Sequence, residues 1–174
     1  MKLSAATPAD LPDLHALIES AYRGDSARAG WSHEADLLDG QRTDLEALTA
    51  ALDDAAQQLL VFREGERITA CVSLTDRGDR LTYLGLLTVE PRRQATGLGR
   101  MMLAAAEDHA VGDCNANRIE MTVIAQRIEL VAWYQRRGYA LTGERRPFQF
   151  DESRFGKPRR DALEFVVLEK ALPG

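Results

Sequence analysis

The stretch Gln94–Gly99, with the sequence Gln-Ala-Thr-Gly-Leu-Gly, lies between an apolar, strand-like run, Leu81–Val89, and a helix rich in Ala, Met and Leu that opens at Arg100. Glycine adopts backbone conformations that other residues avoid, and it lets the chain approach a ligand closely. The first N–H groups of a helix have no partner within the helix and lie at the positive end of its dipole. The order of strand, glycine loop and helix therefore predicts a cradle for an anion such as a phosphate.

Two common phosphate-binding loops fit these residues poorly. A P-loop closes with Gly-Lys-Ser/Thr, whereas Gly99 is followed by Arg100 and Met101, so the lysine and the magnesium-binding hydroxyl are missing. The dinucleotide fingerprint Gly-x-Gly-x-x-Gly needs a glycine where this chain has Met102, and a first glycine close to the strand end. On the loop alone, an ordinary connection with glycines for packing remains an alternative.

Gln94, Gly97 and Gly99 follow Val89 and Pro91 at a spacing that resembles the acetyl-CoA signature of the GNAT acyltransferase superfamily, whose core is Arg/Gln-x-x-Gly-x-Gly/Ala. The resemblance implies that acetyl-CoA is the co-substrate and that backbone N–H groups of the loop hold its pyrophosphate. It also implies that the preceding strand pairs with the pantetheine amides and directs a main-chain N–H at the thioester oxygen. The cofactor-binding residues implied are Leu87, Thr88, Val89, Gln94, Ala95, Thr96, Gly97, Leu98, Gly99 and Arg100.

A second segment resembles the same superfamily. Residues 128–137 have a helical pattern that ends at Gly138, where a left-handed cap favours glycine. Tyr134, Gly138 and Tyr139 match the Tyr-x-x-x-Gly-Phe/Tyr with which the helix after the fifth strand ends in the superfamily.

One pair of residues departs from the family pattern. Many members have Asn seven positions and Ala four positions before this tyrosine, where the present chain has Arg127 and Leu130. The Asn usually helps to hold the pantetheine arm in the superfamily, so the resemblance does not extend to the details of that contact.

Composition restricts the class of protein. The 174 residues suit one domain, 1–174, and the formal net charge of -5 argues against general affinity for nucleic acid. No uncharged apolar run approaches the roughly 18 to 20 residues of a membrane span. The start, Met1 to Ser4, is followed by acids and Pro rather than a signal core, and Cys71 reads as a buried free thiol. We expect a cytoplasmic protein without membrane or nucleic-acid partners.

Periodicity and capping signals predict an α+β fold. The resemblance implies the GNAT form of it, a mixed and mostly antiparallel sheet with helices on both faces. Residues 24–41 read as a functional loop with one helical turn, and residues 145–161 as an irregular polar arm. The predicted helices cover about 8–23, 44–56, 98–111 and 128–137, and the predicted strands cover about 58–63, 67–75, 80–89, 118–124, 139–144 and 163–169.

Acetyl transfer to an amine needs an acid for the departing thiolate and a base for the amine. The spacing to Gly138 favours Tyr134 as the general acid, because a phenol within hydrogen-bond reach can donate that proton. Glu90 and Glu34 are the catalytic base candidates, with His33 and Glu120 also possible by residue type. No grouping of Cys, His and Asp has metal-binding spacing.

Charged segments suggest two halves of an acceptor site, or else two solvated loops of opposite charge. Glu34, Asp36 and Asp39 offer an acidic lip for a cationic amine. The opposite arm offers a carboxylate clamp made of Arg145, Arg146, Arg154, Lys157, Arg159 and Arg160. The phosphates of the co-substrate have candidate partners in Arg92, Arg93 and Arg100.

The leading hypothesis is an N-acetyltransferase that acts on a primary amine of a small molecule by direct transfer. The alternatives are a non-catalytic CoA-binding regulatory module and a protein N-acetyltransferase. A homodimer is possible, because homodimers are common in the superfamily.

Overall fold

Sequence periodicity and the computed structural model agree on the main elements. The structure describes residues 3–23, 27–28, 30–31, 34–147, 157–158 and 163–173. The helices with defined bounds are α1 (Leu11–Tyr22), α2 (Leu45–Asp53), α3 (Leu98–Gly112) and α4 (Ile128–Gln135), with single 3-10 turns at Pro8–Asp10 and Pro91–Arg93. The strands are β1 (Leu3–Ala5), β2 (Leu38–Asp39), β3 (Gln57–Glu64), β4 (Arg67–Asp76), β5 (Leu81–Val89), β6 (Arg118–Ile124), β7 (Ala140–Pro147), β8 (Lys157–Pro158) and β9 (Glu164–Ala171).

One sheet of seven strands joins most of the described chain, in the order β1-β3-β4-β5-β6-β9-β7. Its neighbours run antiparallel except β5 and β6, which are parallel. Alternate residues of β3 face opposite ways: Leu60 packs in the cluster that includes α3, and Val61 packs in the cluster that includes α1 and α2. The predicted mixed sheet with helices on both faces is therefore confirmed.

Strands β5 and β6 separate part of the way along their length, and this separation positions the site. Their pairing covers only Leu81–Tyr83 against Arg118–Glu120. The register between β4 and β5 also shifts, and Leu86 at the shift has a φ of 50°. Strand β5 bulges there. Beyond the bulge Thr88 and Val89 still pair with β4, but on the side of β6 the strand faces a cleft.

Several boundaries differ from the sequence prediction. The predicted first helix is divided into a 3-10 turn and α1, with Pro12 in the first turn of α1, because proline has no N–H to continue the preceding turn. Helix α2 ends at Asp53, since Asp54 is extended. The short strands β1, β2 and β8 were not predicted, because two or three residues carry no period.

The arm that was predicted to be irregular is partly ordered. Strand β7 continues to Pro147, and β8 pairs antiparallel with β2, which lies in the loop between α1 and α2. Residues 148–156 and 159–162, including Arg154, Arg159 and Arg160, lie outside the described residues. The two segments that were expected to shape an acceptor site are thus joined by backbone pairing.

Both cysteines are free thiols, and Cys71 is buried. Burial raises the pKa of the Cys71 thiol to about 12, although a hydrogen bond with Thr88 opposes the shift. In the part of the chain that the structure describes, no helix is long and apolar enough to cross a membrane.

Candidate active site

The glycine loop forms an open helix start. Helix α3 begins after Gly97, whose φ of 91° is left-handed, and Ala95 before it also has a positive φ of 67°. The N-cap residue, Gly97, makes no side-chain hydrogen bond to the first turn of α3. Its N–H groups are therefore directed at whatever occupies the space in front of the helix.

A cavity of about 420 Å³ lies in front of this helix start. Its charged lining residues, among those described, are Arg100, Arg127 and Arg137, with no carboxylate. Burial, followed by the charges of Arg136 and Arg100, lowers the pKa of Arg137, as expected where cations crowd together. This arrangement favours an anionic ligand at the helix start.

Most residues predicted to bind the cofactor meet in this cavity. The lining includes Leu87, Val89, Gln94, Ala95, Thr96, Gly97, Gly99 and Arg100. Thr88 and Leu98 are buried beside it instead, and the Thr88 hydroxyl donates to the Leu86 carbonyl at 2.8 Å. Of the predicted phosphate partners, Arg93 pairs with Glu64 and Arg92 is exposed, so neither lines the cavity.

The backbone of Val89 faces the cleft. The Glu90 N–H donates to the Thr69 carbonyl on β4 at 3.0 Å, and backbone groups alternate along a strand, so Val89 presents its N–H and C=O on the opposite edge. The side chain of Gln94 donates to that Val89 carbonyl at 3.3 Å and accepts from the Trp31 N–H at 2.9 Å. Gln94 therefore fastens the segment around Trp31 to the end of β5.

Tyr134 lies at the meeting point of two cavities. The second cavity, of about 260 Å³, shares with the first the residues Tyr22, Leu87, Arg127, Leu130 and Tyr134. The Tyr134 ring is 5 % exposed and packs edge-on against Trp133, with ring centroids 4.9 Å apart. Burial, followed by the charge of Tyr22, raises the pKa of Tyr134, so its hydroxyl keeps its proton at neutral pH.

Glu34 is the centre of a buried ion cluster in the second cavity. Its carboxylate pairs with Arg23, with Arg127 at 3.2 Å and with Arg42 at 3.9 Å. Burial by itself raises the pKa of Glu34, but the charges of Arg127, Arg42 and Arg23 outweigh it, and the net shift is downward. A carboxylate with a lowered pKa is a weaker base, and this one is surrounded by three positive charges.

The other acidic candidates lie elsewhere. Glu90 pairs with Arg67 and lines a separate depression formed with α1, outside both cavities described above. Glu120 accepts from Arg146 at 3.0 Å, and Asp36 is exposed and pairs with Arg28 at 2.5 Å. His33 and the Asp39 side chain lie outside what the structure describes.

The cationic arm is largely paired where it is described. Arg145 pairs with Glu164, and Arg146 donates to Glu120 and Glu144. Lys157 is described by its backbone alone. The positive charges that face the second cavity come instead from Arg42 and Arg127.

Several lining residues were not assigned to the site from the sequence. Arg127, Leu130 and Arg137 line the first cavity together with Tyr134, the predicted acid. Their spacing places them on one face of α4 and its flanking turns. This helical spacing is the sequence pattern from which they could have been identified as lining residues. Arg42, Tyr22 and Trp31 come from distant parts of the chain and carry no local signal.

Among the described side chains, no group of three or more His, Cys, Asp or Glu residues could hold a metal ion.

Comparison with known proteins gives a consistent result. A family model described as an acetyltransferase (GNAT) domain matches residues 31–156. A search of curated proteins finds no match.

Solved structures share the fold. The ribosomal-protein-S18-alanine N-acetyltransferase of Escherichia coli has 12% identity and a TM-score of 0.72, covering 99% of this chain and 94% of that chain. A mutant of the spermidine N-acetyltransferase SpeG of Vibrio cholerae has 16% identity and a TM-score of 0.68, covering 98% of this chain and 95% of that chain. The yncA protein of Salmonella typhimurium was solved with its cofactor acetyl-CoA. It has 19% identity and a TM-score of 0.70, covering 100% of this chain and 95% of that chain. Because the family model spans more than half of its residues, the chain belongs to the GNAT acetyltransferases.

Proposed function

We propose that the protein transfers an acetyl group from acetyl-CoA to a primary amine of a small molecule, with Tyr134 as the general acid. The observation that carries the proposal is the position of Tyr134 on the wall shared by the two cavities. A donor in one cavity and an acceptor in the other would meet next to its hydroxyl.

The first cavity suits the co-substrate. The uncapped start of α3 and the guanidinium groups of Arg100 and Arg137 supply N–H donors and positive charge for a pyrophosphate. The edge of β5 that β6 leaves unpaired at Val89 supplies an N–H for an amide-bearing arm, while the Val89 carbonyl accepts from Gln94. When bound, acetyl-CoA supplies the acetyl group as a thioester and leaves as a thiol.

The Tyr134 hydroxyl holds the proton that a departing sulfur requires. Burial raises the pKa of Tyr134, so the phenol is protonated across the physiological range but is also a weaker acid, and its donation depends on a hydrogen bond to the departing sulfur. The tyrosinate formed is a base that can recover a proton from the acetylated nitrogen. One residue can therefore donate and recover the proton in each cycle.

The acceptor must lose a proton before it attacks, and the cluster around Glu34 favours that loss. Among the described residues that line the second cavity, Arg42 and Arg127 accompany the single carboxylate of Glu34, so these lining charges are positive on balance. Positive charge disfavours a bound ammonium and lowers the pKa of the amine. We assign this electrostatic role to the cluster rather than proton transfer to Glu34, and we assign no catalytic role to Glu90.

The second cavity favours a small acceptor over a protein. Its volume of about 260 Å³ and its aromatic and aliphatic walls suit a small body. The acidic groove expected for a cationic protein segment is not formed by the described lining residues, whose charges are Glu34, Arg42 and Arg127. The homodimer and the cytoplasmic location stay predictions.

A Gly99→Ala variant is expected to weaken acetyl-CoA binding about tenfold or more, because the added methyl group occupies the cradle. That methyl would lie 3.6 Å from a Val89 methyl carbon and 3.8 Å from the Trp133 ring, which is ordinary contact, so the fold is kept. Thermal unfolding with and without acetyl-CoA measures the change, since a ligand at about 100 times its Kd adds about 2.7 kcal/mol.

Gly112→Ala is the matched control, because it lies in the same helix and its added methyl meets nothing within 4 Å. It is expected to keep the full thermal shift. Equal shifts in both variants would place the co-substrate away from the start of α3. Acetylation of an amine panel then tests the function itself: turnover no faster than the spontaneous rate would favour the non-catalytic CoA-binding module.

A further inference from the structure

The second cavity has an excess of positive charge, which bears on the kind of amine it accepts. Glu34, Arg42 and Arg127 are the charged side chains among its described lining residues. Arg23 contacts the same carboxylate and adds a third guanidinium. Among the described lining side chains two guanidinium groups face one carboxylate, so an anion that binds there gains favourable charge contacts.

Arg42 is the member of this cluster best placed to contact a ligand. The side chains of Arg23 and Arg127 are only 6% and 10% exposed, and both are hydrogen-bonded to Glu34. The Arg42 side chain is 33% exposed, and its Nε lies 3.9 Å from Glu34 Oε2, which is longer than a hydrogen bond. Its guanidinium stacks over the Tyr22 ring at 5.3 Å, which fixes the orientation of the planar fork.

Aliphatic and aromatic side chains form part of the remaining cavity wall. They are Tyr22, Tyr83, Leu84, Leu86, Leu87, Met121, Val123, Ile124, Leu130, Tyr134 and Phe165. The hydroxyls of Tyr83 and Thr122 are hydrogen-bonded to each other at 2.8 Å. The wall is therefore suited to an apolar side chain, which gains free energy by leaving water.

We propose that the acceptor, if the protein acetylates a small amine as argued above, is an amino acid with an apolar side chain whose carboxylate binds Arg42. The guanidinium fork matches a carboxylate in a bidentate geometry. A polyamine brings two or more ammonium groups to a cavity that is already positive, and such like-charge contacts are costly. The specificity is thus expected to differ from that named for the spermidine N-acetyltransferase with the same fold.

Matched acceptors isolate the carboxylate. L-leucine is compared with 3-methylbutylamine, and L-phenylalanine is compared with 2-phenylethylamine. The two members of each pair differ only in the carboxylate. Spermidine serves as the polyamine. Binding to the protein saturated with CoA is measured by calorimetry, and acetylation is measured as kcat/KM with acetyl-CoA. The amino acids are expected to be preferred about 10- to 100-fold over their amines in both measurements.

Arg42→Gln is expected to lower, about tenfold or more, the ratio of kcat/KM for each amino acid to kcat/KM for its matched amine. Arg28→Gln is the control, because Arg28 is an exposed arginine of the same loop region that pairs with Asp36 outside both cavities. It is expected to leave the preference unchanged. A preference for spermidine or for the simple amines, or a preference that Arg42→Gln does not alter, would overturn the proposed acceptor and leave the acetyltransferase intact. Tight binding of the amino acids, dependent on Arg42 but without any acetylation, would support the acceptor site and overturn the proposed function.

Discussion

Tyr134→Phe is expected to lower kcat by about 10²- to 10⁴-fold, the range that a general acid contributes. The substitution removes one oxygen and keeps the ring that packs against Trp133. The KM for acetyl-CoA should change little, because the cradle at the start of α3 is untouched. Steady-state kinetics at saturating acetyl-CoA, with the best acceptor of the panel, measure both parameters.

Tyr139→Phe controls for the loss of a buried hydroxyl near the same place. Its ring lies 5.6 Å from that of Tyr134, and its hydroxyl donates to Glu107 at 2.9 Å without lining either cavity. The substitution is expected to lower the free energy of unfolding by about 1 kcal/mol and to change kcat little. Similar losses of kcat in both variants would attribute the effect of Tyr134 to packing, and an unchanged kcat in Tyr134→Phe would exclude it as the acid.

Glu34→Gln is expected to lower the free energy of unfolding by about 3 kcal/mol or more. The substitution removes the carboxylate that pairs with Arg23, Arg42 and Arg127, and breaking a buried ion pair by removing one partner is costly. Urea unfolding at pH 7 measures the loss. Asp36→Asn, in an exposed pair with Arg28, is expected to cost at most about 1 kcal/mol.

The pH dependence of the same variant provides an independent check. Because the pKa of Glu34 is lowered in the folded chain, its ionised form stabilises the fold above the unfolded-state pKa of about 4.3. This contribution is lost as the pH falls through the lower, folded-state pKa. The stability difference between the wild type and Glu34→Gln should therefore be constant near neutral pH and shrink below about pH 4. A difference that stays the same in acid would show that charge is not its cause.

The cofactor side of the site was predictable because its determinants are local. The left-handed φ of Gly97, the start of α3 after it and the cap at Gly138 each follow from a few neighbouring residues. The position of Tyr134 followed in the same way, from its spacing to Gly138. Which arginines of the loop face the cavity was less predictable. The direction of the Arg93 side chain depends on its contact with Glu64, which is 29 residues away in the sequence.

The acceptor side depends on contacts that no periodicity encodes. Glu34 was predicted as a base or part of an acidic lip, but its partners lie 11 residues before it, at Arg23, and 93 residues after it, at Arg127. Those partners turn a surface acid into a buried, strongly ionised centre. The pairing of β2 with β8 is likewise set by tertiary structure, because strands of two residues have no pattern of their own.

The separation of β5 from β6 also affects how the protein behaves toward other chains. A strand edge without a partner normally invites strands of other molecules and promotes aggregation. Here the open edge of β5 lies within the sheet, between two strands that remain paired at Leu81–Tyr83, whereas β1 and β7 form the outer margins. Because this gap closes where β5 and β6 pair, we expect it to be less accessible to a foreign sheet than the outer margins are. Self-association through the open edge of β5 is therefore expected to be disfavoured.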